Sequence, residues 1–124
     1  MSSSFPRTYP KKRILLSVCR GRISSDSLCD VLTFAAGLGG GTAEHYIDVV
    51  FMGDGVTECM SCSLTDEVRP YMTFARSCGT SFWADKDSLA MRGMPEDDLF
   101  EGCSIISTEE VYELLRNSDL HLRI

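Results

Sequence analysis

Short apolar runs that alternate with segments of helical period constrain this chain more than any other feature. Arg13-Ile-Leu-Leu-Ser-Val-Cys19 is too continuously apolar for a strand with one wet face, and suits a strand buried on both sides. Behind it, Leu28, Val31, Leu32, Ala35 and Ala36 recur at the spacing of a single helix face. Ser24, Ser25 and Asp26 offer N-cap oxygens for that helix, and Gly37 with Gly39-Gly40-Gly41 predicts its end. A second strand is expected over Tyr46-Ile-Asp-Val-Val-Phe-Met52, closed by Gly53-Asp54-Gly55. Asp66 to Cys78 predicts a helix, in which Pro70 is tolerable only near the first turn. Thr80 to Ala84 reads as a third strand, and residues 85–102 as loop with one helical turn around Ser88 to Arg92. Cys103 to Ile106 follows as a fourth strand. Ser107-Thr-Glu-Glu110 has the spacing of a capping box, and Val111, Leu114 and Leu115 supply the apolar face of the helix it opens. Asp119 to Ile124 alternates as an edge strand should.

Strands separated by helices require crossovers, and crossovers make strands parallel. The expected fold is therefore a three-layer α/β domain with a five-stranded, mainly parallel sheet and helices on both faces. Residues 13–124 are expected to form this one domain, behind a flexible arm of residues 1–12 in which Pro6 and Pro10 discourage regular structure. Ligands of such sheets bind beyond the carboxyl ends of the strands. That rule brings three loops together: Cys19 to Ser24, Met52 to Cys62, and Asp85 to Arg92.

Charge narrows the functional classes. A net charge of −6 argues against a phosphate-backbone binder, and the small basic cluster Arg7, Lys11, Lys12 and Arg13 does not reverse this. No stretch approaches the roughly 20 apolar residues of a membrane span. The start, Met1-Ser-Ser-Ser-Phe-Pro, lacks a signal-peptide apolar region, so a cytoplasmic location is expected with neither nucleic acid nor membrane as partner. Six cysteines then read as free thiols rather than as a disulfide framework.

Cys19 ends the first strand ahead of Arg20-Gly21-Arg22 and a helix start. Two guanidiniums and a helix N-terminus favour a thiolate, although a small buried strand residue is the commoner role for a cysteine there. Cys59-Met60-Ser61-Cys62 is the one C-x-x-C, suited to a redox disulfide or to passing sulfur, or else to no chemistry. With no second such pair, no metal site is expected. His45 and His121 show no nucleophile partner in sequence, and no phosphate loop is present, so no cofactor is expected. Asp54 and Asp85, at the ends of the second and third strands, are candidate binding groups together with Arg20 and Arg22, or members of solvated turns.

Several segments, in order, resemble the DsrE/DsrF-like (YchN-like) sulfur-relay family, whose fold is related to flavodoxin. Ser25-Asp26-Ser27-Leu28 leading to Phe34-Ala35-Ala36-Gly37-Leu38 is similar to that family's first strand–loop–helix. Phe51-Met52-Gly53-Asp54-Gly55-Val56-Thr57 resembles its second strand and acidic turn. Met91-Arg92-Gly93-Met94 resembles the Arg-Gly step after its third strand, and Gly102 to Ile106 with Ser118-Asp119-Leu120 its closing segment. The resemblance implies assembly into homo-oligomers such as trimers or hexamers, or with related family subunits, and exchange with a sulfur-donor or acceptor protein. It also implies a persulfide-carrying cysteine eight residues before the glycine of the Arg-Gly step. Here that position is Asp85, and the position three residues on, which often holds a second cysteine, is Ser88. An aspartate holds no persulfide. Two readings follow: sulfur handling or thiol redox through Cys59, Cys62 or Cys19, or a non-catalytic oligomeric subunit with a strand-end pocket at Asp54 and Asp85.

Overall fold

The structure is a computed structural model that describes residues 11–21, 26–40 and 45–124. Five strands form its sheet: β1 (Arg13–Val18), β2 (Tyr46–Phe51), β3 (Ser81–Asp85), β4 (Cys103–Ile106) and β5 (Leu120–Arg123). Every neighbouring pair is parallel, in the order β4-β3-β2-β1-β5. The apolar run of β1 sits where such a run belongs, inside the sheet, with Ile14 to Val18 all buried. β5 lies at an edge beside β1, as expected, but its burial does not alternate: Leu120 and His121 are both exposed and Leu122 is half-buried. Most of the arm expected over residues 1–12 lies outside the described residues, as do Ser24 and Ser25.

Helices cover both faces. α1 (Asp26–Gly39) and α2 (Arg69–Ser77) pack on one face, where Leu28, Leu32, Ala35, Met72 and Ala75 meet Leu16, Val49 and Phe82. α4 (Thr108–Asn117) covers the other, where Val111 packs with Leu15, Val50 and Ile106. The capping box forms as read: the Ser107 hydroxyl accepts from the Glu110 amide, and the Glu110 carboxylate accepts from the Ser107 amide.

Three details differ from the sequence reading. First, α1 runs through Gly37 to Gly39, because the half-buried Leu38 packs on the core and holds another turn in place. A Cβ at Gly37 would meet nothing within 4 Å, and the residue is exposed. Gly37→Ala is therefore expected to stabilise the protein by about 0.5–1 kcal/mol, read as a higher urea midpoint. An unchanged or lower midpoint would contradict the placement of Gly37 inside the helix.

Second, residues 85–102 are more ordered than a loop. α3 (Lys86–Met91) starts directly at the end of β3 and is capped by Asp85. Farther on, Phe100 is 1% exposed, with its ring edge-on to Phe51 at 5.9 Å and to Phe82 at 5.6 Å between centroids. Burial of a phenylalanine contributes roughly 1.5–3 kcal/mol, enough to pin this segment against the sheet. Third, the segment after β2 folds into short 3-10 turns, Gly53–Cys59 and Ser61–Ser63.

Candidate functional site

The carboxyl ends of β1, β2, β3 and β4 share one rim, and the loops expected to converge there do so. Gly53 takes a φ of +56°, a conformation glycine adopts without penalty. Its amide then donates to Ser88 Oγ at 2.9 Å, tying the end of β2 to α3. Gly55 presses its α-carbon against β1: a Cβ there would stand 1.8 Å from the Val18 carbonyl oxygen. Gly21, just past β1, lies near Asp54 and Thr57. Arg22 lies outside the described residues.

Asp85 is at the centre of a polar network on this rim. It is 6% exposed, and its Oδ2 accepts from the Ser88 amide at 3.2 Å and from Ser88 Oγ at 2.5 Å. Its Oδ1 lies 3.1 Å from the Thr108 hydroxyl, which is 2.7 Å from Asp87 Oδ2 and has one proton for the two carboxylates. The carboxylate thus holds the start of α3 and reaches the first turn of α4. Its negative charge also suits a helix N-terminus. Arg92 completes the network from the far end of α3. It reaches Asp54 Oδ1 with Nη2 at 2.8 Å and Nε at 3.2 Å, and donates from Nη1 to the Ser88 carbonyl. The Asp54 side chain stays 75% exposed.

The cysteines are separated by this geometry. Cys19 is half-buried just past β1. It lines a groove of about 190 Å³ on the α4 face, with Leu15, Ser17, Met52, Leu115, His121 and Arg123 along its walls. His121, which shows no partner in sequence, lies 2.7 Å through Nε2 from the hydroxyl of the buried Ser17. Arg20 belongs to the opposite face, in a mostly apolar pocket with Val18, Leu28, Val31, Glu58 and Ile124. The split arises just past the end of β1, where the chain bends at Arg20. The Arg20 guanidinium and the Cys19 thiol thus line different cavities.

The two ends of the C-x-x-C are equally unlike. Cys62 is exposed, whereas Cys59 is fully buried and its thiol donates to the Val56 carbonyl at 2.8 Å. The sulfur neighbour of Cys59 is Cys103, at the start of β4. The hydrogen bond to Cys59, and then burial, push the Cys103 thiol well above the ordinary thiol range. Cys103 is therefore protonated at neutral pH, a poor nucleophile in its resting state.

Sequence reasoning named Asp54 and Asp85 for the rim but not Ser88, Arg92 and Thr108 as the groups that hold them. Thr108 follows the recognisable Ser107 cap directly, and the strand-end rule was the signal that would have brought it in. Nothing in the sequence pairs Cys59 with Cys103 or Ser17 with His121.

The family model for the DsrE/DsrF-like family matches residues 12–124. The chain belongs to that family. Solved structures agree at the level of fold. YchN from Escherichia coli superposes with a TM-score of 0.73 at 18% identity, covering 92% of this chain and 99% of that one. A protein of unknown function from Methanobacterium thermoautotrophicum, MTH1491, gives a TM-score of 0.71 at 19% identity, covering 92% of this chain and 100% of that one. No curated protein sequence matches the chain. Within this DsrE/DsrF-like fold, the network around Asp85 occupies the end of β3. Among the described residues, no helix is long and apolar enough to cross a membrane.

Proposed function

We propose that this DsrE/DsrF-like chain handles sulfur through a thiol displaced from the end of β3, and that Cys19 is that thiol. The observation that carries this reading is the position of Cys19. It is half-buried on the strand-end rim and opens on an apolar groove beside His121 and Arg123. An apolar groove excludes water from a reactive sulfur, and a cation at its edge favours a bound anion. Cys59 is buried against Val56, and Cys62 stands on the outside of its turn without such a groove among the described cavities.

The step is a simple exchange. The Cys19 thiolate attacks the outer sulfur of a donor persulfide, R–S–SH, and the donor S–S bond breaks. The donor leaves as the thiol R–SH, and Cys19 holds the –S–SH group for the next acceptor. A protein donor or acceptor suits the open rim better than a buried small-molecule site does. Homo-oligomer formation belongs to the same reading, supported by Phe34, Tyr71 and Phe74 exposed on the neighbouring helices α1 and α2. Native mass spectrometry of the full chain is expected to show trimers or hexamers.

Exposure of the reduced protein to a persulfide donor, followed by peptide mass spectrometry, tests the thiol. A gain of about 32 Da per sulfur is expected on the Cys19 peptide, reversed by a thiol reductant and absent from Cys19→Ser. Labelling no greater than in the unfolded chain would sink the transfer reading. It would leave the second one, a non-catalytic subunit. That reading is favoured by Asp85, whose oxygens are engaged with Ser88 and Thr108 and which cannot carry sulfur. In it, the exposed Asp54 carboxylate beside Arg92 is the group left facing a ligand.

A further inference from the structure

We propose that Cys59 and Cys103 form a dithiol redox site that closes to an intrachain disulfide when a small hydroperoxide oxidises it. Three observations converge on the pair. Cys59 lies in the main core cluster, Cys103 packs against that cluster, and Cys59 is the neighbour that does most to raise the Cys103 thiol. Their backbones are held together through one residue, because the Phe100 amide donates to the Cys59 carbonyl at 2.9 Å while the Cys103 amide donates to the Phe100 carbonyl at 3.1 Å. Access is unequal: Cys59 has no exposed surface and Cys103 is half-buried.

That inequality assigns the order of events. Cys103 meets the oxidant first, and this step is slow, because only its transient thiolate reacts. Its sulfur attacks the peroxide O–O bond, the alcohol or water leaves, and Cys103 becomes a sulfenic acid. The Cys59 thiol then attacks the Cys103 sulfur, the S–O bond breaks, and water leaves as the S–S bond forms. Two thiols give up two electrons in all, and the peroxide accepts them. The buried partner needs no opening of the core, because it already faces the sulfur it attacks. Cys62, the sequence neighbour in the C-x-x-C, takes no part, since it stands on the outside of the Ser61–Ser63 turn. Closure staples the Gly53–Cys59 turn, which carries Asp54 of the rim, to the first residue of β4. The site is independent of the Cys19 reading, and the two give mass changes of opposite sign.

The experiment treats the reduced full chain with hydrogen peroxide for minutes to hours, blocks free thiols, and maps non-reduced peptides. The expected result is a loss of about 2 Da, a cross-linked peptide containing Cys59 and Cys103, and reversal by a dithiol reductant. Cys62→Ser is expected to keep the cross-link and Cys103→Ser to lose it. The urea midpoint of the wild-type protein is expected to rise on oxidation, with no rise in Cys103→Ser. A Cys59–Cys62 cross-link, a disulfide between chains, or Cys103 oxidised to the sulfinic acid while Cys59 stays free would each overturn the proposal. Should Cys103→Ser not fold, the wild-type and Cys62→Ser maps decide the matter alone.

Discussion

Asp85→Ala is expected to lower the stability of the protein by about 3 kcal/mol, most of it from one carboxylate. The loss has two parts. Removing an N-cap acceptor costs about 1 kcal/mol, here the bond from the Ser88 amide that opens α3. A hydrogen bond to a charged group contributes about 1.5–3 kcal/mol, and Asp85 accepts from Ser88 Oγ in a nearly dry site. Alanine leaves the Ser88 hydroxyl without its acceptor, and Thr108 keeps only Asp87. Urea unfolding measures the difference, with Asp85→Asn as the control that keeps the shape and one acceptor oxygen. Asn is expected to recover part of the loss. A drop below about 1 kcal/mol in Asp85→Ala would mean the network is not what orders the rim.

Gly55→Ala is expected to cost at least about 3 kcal/mol, more than its single added methyl group suggests. The added carbon would lie 1.8 Å from the Val18 carbonyl oxygen and 2.6 Å from the carbonyl carbon, and both are backbone atoms of a central strand. A flexible side chain would swing aside, whereas β1 is paired on both sides and has nowhere to go. The Gly53–Cys59 turn must retreat instead. It would take with it the Gly53–Ser88 bond and the approach of Asp54 to Arg92. The mutant is therefore expected to unfold at lower urea and to show faster hydrogen exchange at the Gly53 amide. Wild-type stability in Gly55→Ala would show that the turn is free to lift off β1.

Legibility followed the range of the interaction. β1 and β2 were readable to within a residue, because strands inside a sheet covered on both faces are apolar over most of their length. The Ser107–Glu110 box was readable because both partners lie within a single helical turn. The stretch from Asp85 to Gly102 reads as loop with one helical turn around Ser88 to Arg92, because α3 has only six residues, too few to display a period. Phe100 looked like a lone aromatic in that stretch, and only its position under Phe51 and Phe82 makes it core.

For the candidate site, the sequence by itself determined the family, the strand-end location, and the aspartate that stands at the end of β3. Tertiary structure decided what those residues do. It joined Asp85 to Thr108, 23 residues away, and Arg92 to Asp54, 38 residues away. It also set Cys59 against Cys103 rather than Cys62, and placed Cys19 and Arg20, just past β1, in different cavities. The reason is physical. Local patterns are set by backbone periodicity within a few residues, whereas a side chain's partner depends on which strands pair and in what register. That pairing is a property of the assembled sheet.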